Sequence, residues 1–195
     1  MRHNAGKIAV AAAAIMALAT VEAPAQAQLD KFIISGDAAK RLGERSELTM
    51  DTARKLADAC IAFAQKNNVA VSIAIIDQFG EPIFFTRMDG QGKLNIDTAF
   101  LKAKTTVITR QPSHADMNNL FRGNTTEFHQ GYFNGIFPNK GALPIKVGDH
   151  FLGAMGVGGS NVDEECAHAA LEQVIGPQPP LLPNIPRPGV VNGGG

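Results

Sequence analysis

The chain has 195 residues, 45% of them apolar, and balances 18 basic against 18 acidic side chains. That length suits one domain of ordinary size with appendages, and the apolar share excludes global disorder. Balanced charge argues against a counterion-releasing nucleic-acid surface, and the absence of tryptophan argues against base- or sugar-stacking platforms.

Residues 1–27 read as an export signal. Arg2 and Lys7 give a positive start, Ile8 to Ala19 a short apolar core, and Ala25-Gln26-Ala27 a small-x-small cleavage site. The apolar run is too short to span a bilayer comfortably, so no membrane span is expected after cleavage. Gln28 is the expected mature start, and the expected location is secreted, in the periplasm. Export permits disulfides. Cys60 and Cys166 both fall on apolar faces of predicted helices. They either pair across the core, worth roughly 2–4 kcal/mol, or stay as two buried thiols.

Residues 28–47 form a lead-in segment with one weak helical piece around Ala38 to Leu42. A helix follows, with Thr49 as N-cap, Asp51 in its first turn, and Ala53, Leu56, Ala57, Cys60 and Ala64 at helical spacing. Asn67-Asn68 ends it. Val69 to Asp77 is a nearly continuous apolar, β-branched run, read as a strand buried on both faces. Asp77-Gln78-Phe79-Gly80 supplies a turn, and Pro82 to Met88 returns as the adjacent strand.

After the loop Asp89-Gly90-Gln91-Gly92, a second helix opens at Asn95 or Asp97 and packs through Ala99, Ala103, Thr106 and Val107. Gln111-Pro112 breaks it, and Ser113 is placed to cap a short helix through Leu120. Pro144 to Val147 and His150 to Val157 flank Gly148-Asp149 and predict a hairpin. Gly153, Gly156, Gly158 and Gly159 thin the last strand, as happens where another backbone or a ligand comes close. Ser160 and Asp163 stand at capping-box spacing, and Val162, Cys166, Ala169, Ala170 and Val174 line the terminal helix. Residues 176–195, rich in proline and glycine, read as a flexible tail. Helix, two strands, helices, strand pair and helix predict an α+β fold: an antiparallel sheet flanked by helices.

These elements in series resemble the GlcG/HbpS-like haem-binding family. The matching stretches are LTMDTARKLADACIAFA, VAVSIAIIDQFGEPIFFTRMDG, TAFLKAKTT and GALPIKVGDHFLGAMGVGGSNVDEECAHAAL, spanning about residues 48–175. I-D-x-x-G-x-P, R-M-D-G, G-x-L-P-I and G-A-x-G-V-x-G followed by D-E-E are specific as a series. The family includes secreted haem-binding proteins, a component encoded with glycolate oxidation genes, and the C-terminal domain of PduO-type corrinoid adenosyltransferases. The resemblance implies a profilin-like fold for residues 48–175, a homo-oligomer, and an exported protein that binds or sequesters haem or a related tetrapyrrole. It also leaves a second reading, an enzyme or accessory subunit acting on a small carboxylate. No axial residue carries over from the family onto a position here.

Haem needs an axial donor, an apolar slot and cations for its propionates. His129 follows Glu127 by two residues and precedes Tyr132; in extended backbone Glu127 and His129 point to the same side, which suits haem ligation or a small metal site. Arg87 and Asp89 lie where the second strand runs into its glycine loop, and Arg87 with Lys104 of the next helix suits a carboxylate or propionate. Lys102 and Lys104 are otherwise expected in solvent. His114 reads as structural, near the cap of a short helix beside Asp116, and His150 as exposed. His168 lies opposite the Cys166 face of its helix. Asp163-Glu164-Glu165 is explained by the helix dipole alone. No H-E-x-x-H, C-x-x-C, EF-hand, G-x-S-x-G or P-loop pattern is present.

Overall fold

The computed structural model of the chain describes residues 31–34, 36–37, 46–115, 129–131 and 133–183. The export signal, the helical piece at Ala38 to Leu42, the segment through Leu120, and Asp116, Glu127 and Tyr132 lie outside the described residues, as does the tail beyond residue 183.

Helix α1 (Met50–Lys66) begins where Thr49, in extended backbone, accepts a hydrogen bond from the Thr52 amide at 3.1 Å. Asp51 in its first turn and Lys66 in its last complement the helix dipole. The buried stripe carries Ala53, Leu56, Ala57, Cys60 and Ala64, as their spacing requires. Strands β1 (Ser72–Asp77) and β2 (Pro82–Arg87) form a hairpin. Its turn is held by the Asp77 carboxylate, which accepts from the amides of Phe79 and Glu81 at 2.8 and 2.9 Å. Gly80, at φ 93°, takes the left-handed backbone that other residues resist.

Helix α2 (Lys93–Thr109) starts ahead of the expected Asn95 or Asp97. Gly92 enters in extended backbone, and its carbonyl accepts from the Asn95 and Ile96 amides. The helix ends at Arg110, whose left-handed backbone (φ 60°) returns its amide to the Thr106 carbonyl. Strands β3 (Ala142–Val147) and β4 (His150–Gly158) form the second hairpin around Gly148-Asp149, and helix α3 (Asp163–Val174) closes the domain.

The four strands form one antiparallel sheet in the order β2-β1-β4-β3. Because β1 is central, its alternate side chains enter two different layers. Ile73 and Ile75 join Leu56, Cys60, Met155 and Leu171 under α1 and α3, whereas Ile76 joins Ala103, Val107 and Ala154 under α2. This is the α+β architecture of an antiparallel sheet between helices. A Cys60–Cys166 disulfide ties α1 to α3 across 106 residues.

The glycines of β4 answer to a backbone. A Cβ on Gly156 would strike the Ala99 carbonyl and come within 2.9 Å of the Ala103 Cβ, and one on Gly158 would press on the Asn95 carbonyl. They let α2 lie almost on the sheet. The buried face of α3 comprises Asp163, Glu164, Cys166, Ala167, Ala170 and Leu171; of the expected line, Val174 is half-buried against the main core and Ala169 is half-buried, while Ala167 and Leu171 are fully buried. Residues 176–183 run back along α3: Leu181 packs on the main core, and His168 Nε2 donates to the Pro179 carbonyl at 2.9 Å.

Candidate functional site

A cleft of about 740 Å³ opens between the first half of α2, the 137–140 segment and the N-terminal turn of α3. Its floor is made of charged groups withdrawn from water. Lys102 sits on the buried face of α2, between Ala99 and Thr106, with its residue only 4% exposed. Its Nζ reaches the Asp163 Oδ2 at 2.7 Å and donates to the Val157 carbonyl at 2.9 Å. The other carboxylate oxygen of Asp163 accepts from the amide and the hydroxyl of Ser160, both at 2.9 Å. The expected Ser160–Asp163 capping box does not form, since Val162 is the N-cap without a side-chain bond; Asp163, the first helical residue, reaches back to Ser160 and neutralises a buried lysine. This clasp joins α2, the end of β4 and α3.

The second group is centred on Glu164. Ser113 fixes the turn after α2 to the start of β3: its amide donates to the Ala142 carbonyl at 3.0 Å, and its hydroxyl accepts from the Ala142 amide at 3.1 Å. That anchor sets His114 in the interior, 1% exposed, with Nδ1 2.9 Å from the Glu164 Oε1. The contact has ion-pair distance, while its direction departs from that of a straight hydrogen bond. Lys140, at the mouth, stands 3.3 Å from the Glu164 Oε2 and 3.7 Å from the Glu165 Oε1. His114 lines the cleft, and its Nε2 is buried with no hydrogen-bond partner, as are its Nδ1 and both carboxylate oxygens of Glu164. A buried imidazole nitrogen left unpaired costs free energy of about 1–3 kcal/mol, which sets His114, the one imidazole among the described lining residues, apart as a nitrogen donor held by neither a hydrogen bond nor an ideal ion pair.

Of the expected site residues that the structure describes, none lines this cleft. Arg87 is exposed at the end of β2, and its guanidinium donates to the Gln91 carbonyl at 2.7 Å, closing the glycine loop. Asp89 is exposed in that loop, Lys104 on the outer side of α2, and His129 on a short helical turn. None of Arg87, Asp89, Lys104 and His129 borders the cleft. Lys102, expected in solvent, is buried instead, because it falls on the helix stripe of Ala99, Ala103 and Thr106. That stripe was the available signal. His114 and Glu164 carried a weaker one, since each has an unremarkable local explanation and only the tertiary fold pairs them. Among the described residues no three His, Cys, Asp or Glu side chains gather as a metal centre, and no helix is long and apolar enough to cross a membrane.

The family model described as haem degrading protein HbpS-like matches residues 48–172. Streptomyces reticuli HbpS, solved as a double mutant, superposes with a TM-score of 0.59 at 26% identity, covering 67% of this chain and 88% of that one. The Klebsiella pneumoniae protein ORFY gives a TM-score of 0.59 at 25% identity, covering 66% and 91%. An uncharacterized 15.0 kDa Citrobacter freundii protein from the dhaT-dhaS intergenic region is 28% identical over 120 residues, 60% of this chain and 84% of its own.

Proposed function

Because the chain belongs to the HbpS-like family, we propose that it binds haem, or a closely related tetrapyrrole, in the cleft between α2 and α3. The observation that carries this reading is His114: a buried residue that lines an open cleft and whose ring nitrogen Nε2 has no hydrogen-bond partner. The cleft offers the group a nitrogen donor and two apolar side chains within a lining that is otherwise mainly polar and charged. His114 would hold the iron, Phe137 and Leu94 would offer apolar contact to a ring, and a volume of about 740 Å³ falls in the usual range of small-molecule sites. Haem, when bound, supplies a redox-active iron. The chain supplies a fixed donor, a dry floor and charged groups already neutralised in pairs.

Export to an oxidising compartment completes the reading. The Cys60–Cys166 disulfide supports it, since such bonds persist where thiols are not kept reduced. Assembly of the protein as a homo-oligomer is supported by Leu94, Leu101 and Ile108, exposed apolar side chains repeating every seventh residue along α2.

The test is a haemin titration of the protein followed by absorbance, beside His114→Ala and His129→Ala variants. Saturable one-to-one binding with a shifted Soret band, lost in His114→Ala, is the expected result. Loss in His129→Ala alone would move the donor to that residue. No Soret shift in the unaltered protein would overturn the haem reading and direct attention to small carboxylates.

A further inference from the structure

We propose that a second pocket, between the outer strand β3 and residues 177–182, binds a carboxylate with an aliphatic body, of the fatty-acid class. This pocket shares no lining residue with the α2–α3 cleft, so its occupant is independent of haem binding there.

Strand β3 is an outer strand of the sheet, and the chain passes back beside it after α3. Between the two a cavity of about 460 Å³ stays open, within the usual range of small-molecule sites. Leu143 and Pro144 form one wall, and Pro179, Pro180 and Leu182 the other. The second wall is held in place: Leu181 packs on the main core, and the Pro179 carbonyl accepts from His168 at 2.9 Å. Its prolines have a preset φ and no N–H, so ordering them costs little chain entropy and they present no backbone donor. Among the described residues no aromatic side chain lines the pocket to stack on a planar ring. Such walls suit a hydrocarbon chain.

The head group is selected by charge. Arg110 and Lys146 line the pocket, and among the described residues no carboxylate does. Glu172, which stands 3.6 Å from the His168 Nδ1, lies outside the lining. Arg110 follows α2 in left-handed backbone, at φ 60°, a place where glycine is the usual residue. An arginine is kept there against that strain, and its guanidinium stacks on the Phe151 ring, 4.0 Å from the centroid. Stacking engages the face of the guanidinium and leaves its N–H edge for a carboxylate, which it grips through two parallel bonds. Lys146, exposed on β3, adds a second positive charge. Two cations beside an aliphatic trough favour a hydrocarbon-chain anion over a small polar anion or a neutral alcohol.

The full chain is titrated by isothermal calorimetry with octanoate below its micelle-forming concentration, and with octanol and acetate for comparison. Saturable one-to-one binding of octanoate is expected, with octanol and acetate each about tenfold weaker or more. Arg110→Gln should weaken octanoate about 10- to 100-fold, the loss of a charge-assisted hydrogen bond. Leu182→Asp, which sets a like charge in the wall at an exposed position, should abolish binding. Lys104→Gln removes an equal charge elsewhere on α2 and should leave the affinity unchanged. Absence of saturable octanoate binding overturns the proposal, as does octanol binding equally tightly or an Arg110→Gln variant with unchanged affinity. Equal weakening by Lys104→Gln overturns it too, since affinity would then follow net charge. Should Arg110→Gln not fold, Lys146→Gln decides: weakening of about threefold supports the site, and an unchanged Kd overturns it.

Discussion

Replacing Lys102 by methionine keeps the apolar stem and removes one charge from the buried ion pair that ties α2 to α3. The side chains of Lys102 and Asp163 are only 5% and 6% exposed, so the remaining carboxylate would stay out of water without its cation. Breaking a buried pair from one side costs about 3–5 kcal/mol. Asp163 retains its two bonds from Ser160, which places the loss near the lower end, at about 3 kcal/mol. The Val157 carbonyl loses its lysine donor as well, for about another 1 kcal/mol. Urea unfolding followed by far-UV circular dichroism, with the disulfide left intact, gives the readout; the chain has no tryptophan to report by fluorescence. With m near 2 kcal/mol/M, the midpoint should fall by roughly 1.5–2 M while m stays constant. Adding Asp163→Asn removes the orphaned charge but keeps an oxygen for Ser160, so the double variant should be more stable than Lys102→Met alone. A single-variant loss below about 1 kcal/mol, or a double variant no better than the single, would refute the description of this pair as a buried clasp.

Cys60→Ser with Cys166→Ser opens a loop of 106 residues, and the loss should be roughly 2–5 kcal/mol, read as a lower thermal midpoint that added reductant no longer changes. Gly156→Ala drives a methyl group into the α2 backbone and within 2.9 Å of the Ala103 side chain; limited proteolysis should cut α2 rapidly in the variant and leave the parent whole. Leu101→Lys places a charge in the middle of the exposed α2 stripe, and sedimentation should show a smaller species if copies of the chain meet there, with an unchanged sedimentation coefficient counting against that contact.

Much of the fold could be read where local chemistry and tertiary packing agree. Thr49 caps because a hydroxyl there meets an orphan amide, whatever lies beyond, and the alternation of Ile73, Ile75 and Ile76 between two layers follows from any strand with helices on both sides. The start of α2 was harder to see, because Gly92 caps through backbone conformation and offers no polar side chain. The glycine run in β4 signalled a close approach without saying to what. Only the packing of Ala99 and Ala103 against Gly156 identifies the neighbour as α2.

The cleft was less legible for a physical reason. An acidic cluster at a helix N-terminus is stabilised by the dipole whether it faces water or the core, so Asp163, Glu164 and Glu165 gave no hint of burial as a charge pattern. Their positions relative to Ala167, Ala170 and Leu171 do: Asp163 and Glu164 extend the apolar face of α3, while Glu165 turns away from it. Lys102 repeats the lesson on α2. An ionisable residue on an apolar helix stripe needs a counter-charge, and here that partner stands 61 residues later in the chain. Two such residues, one cationic and one anionic, on helices meeting at the end of the same strand, therefore imply each other. Once Lys102 has claimed Asp163, Glu164 is left with His114 and the partly exposed Lys140.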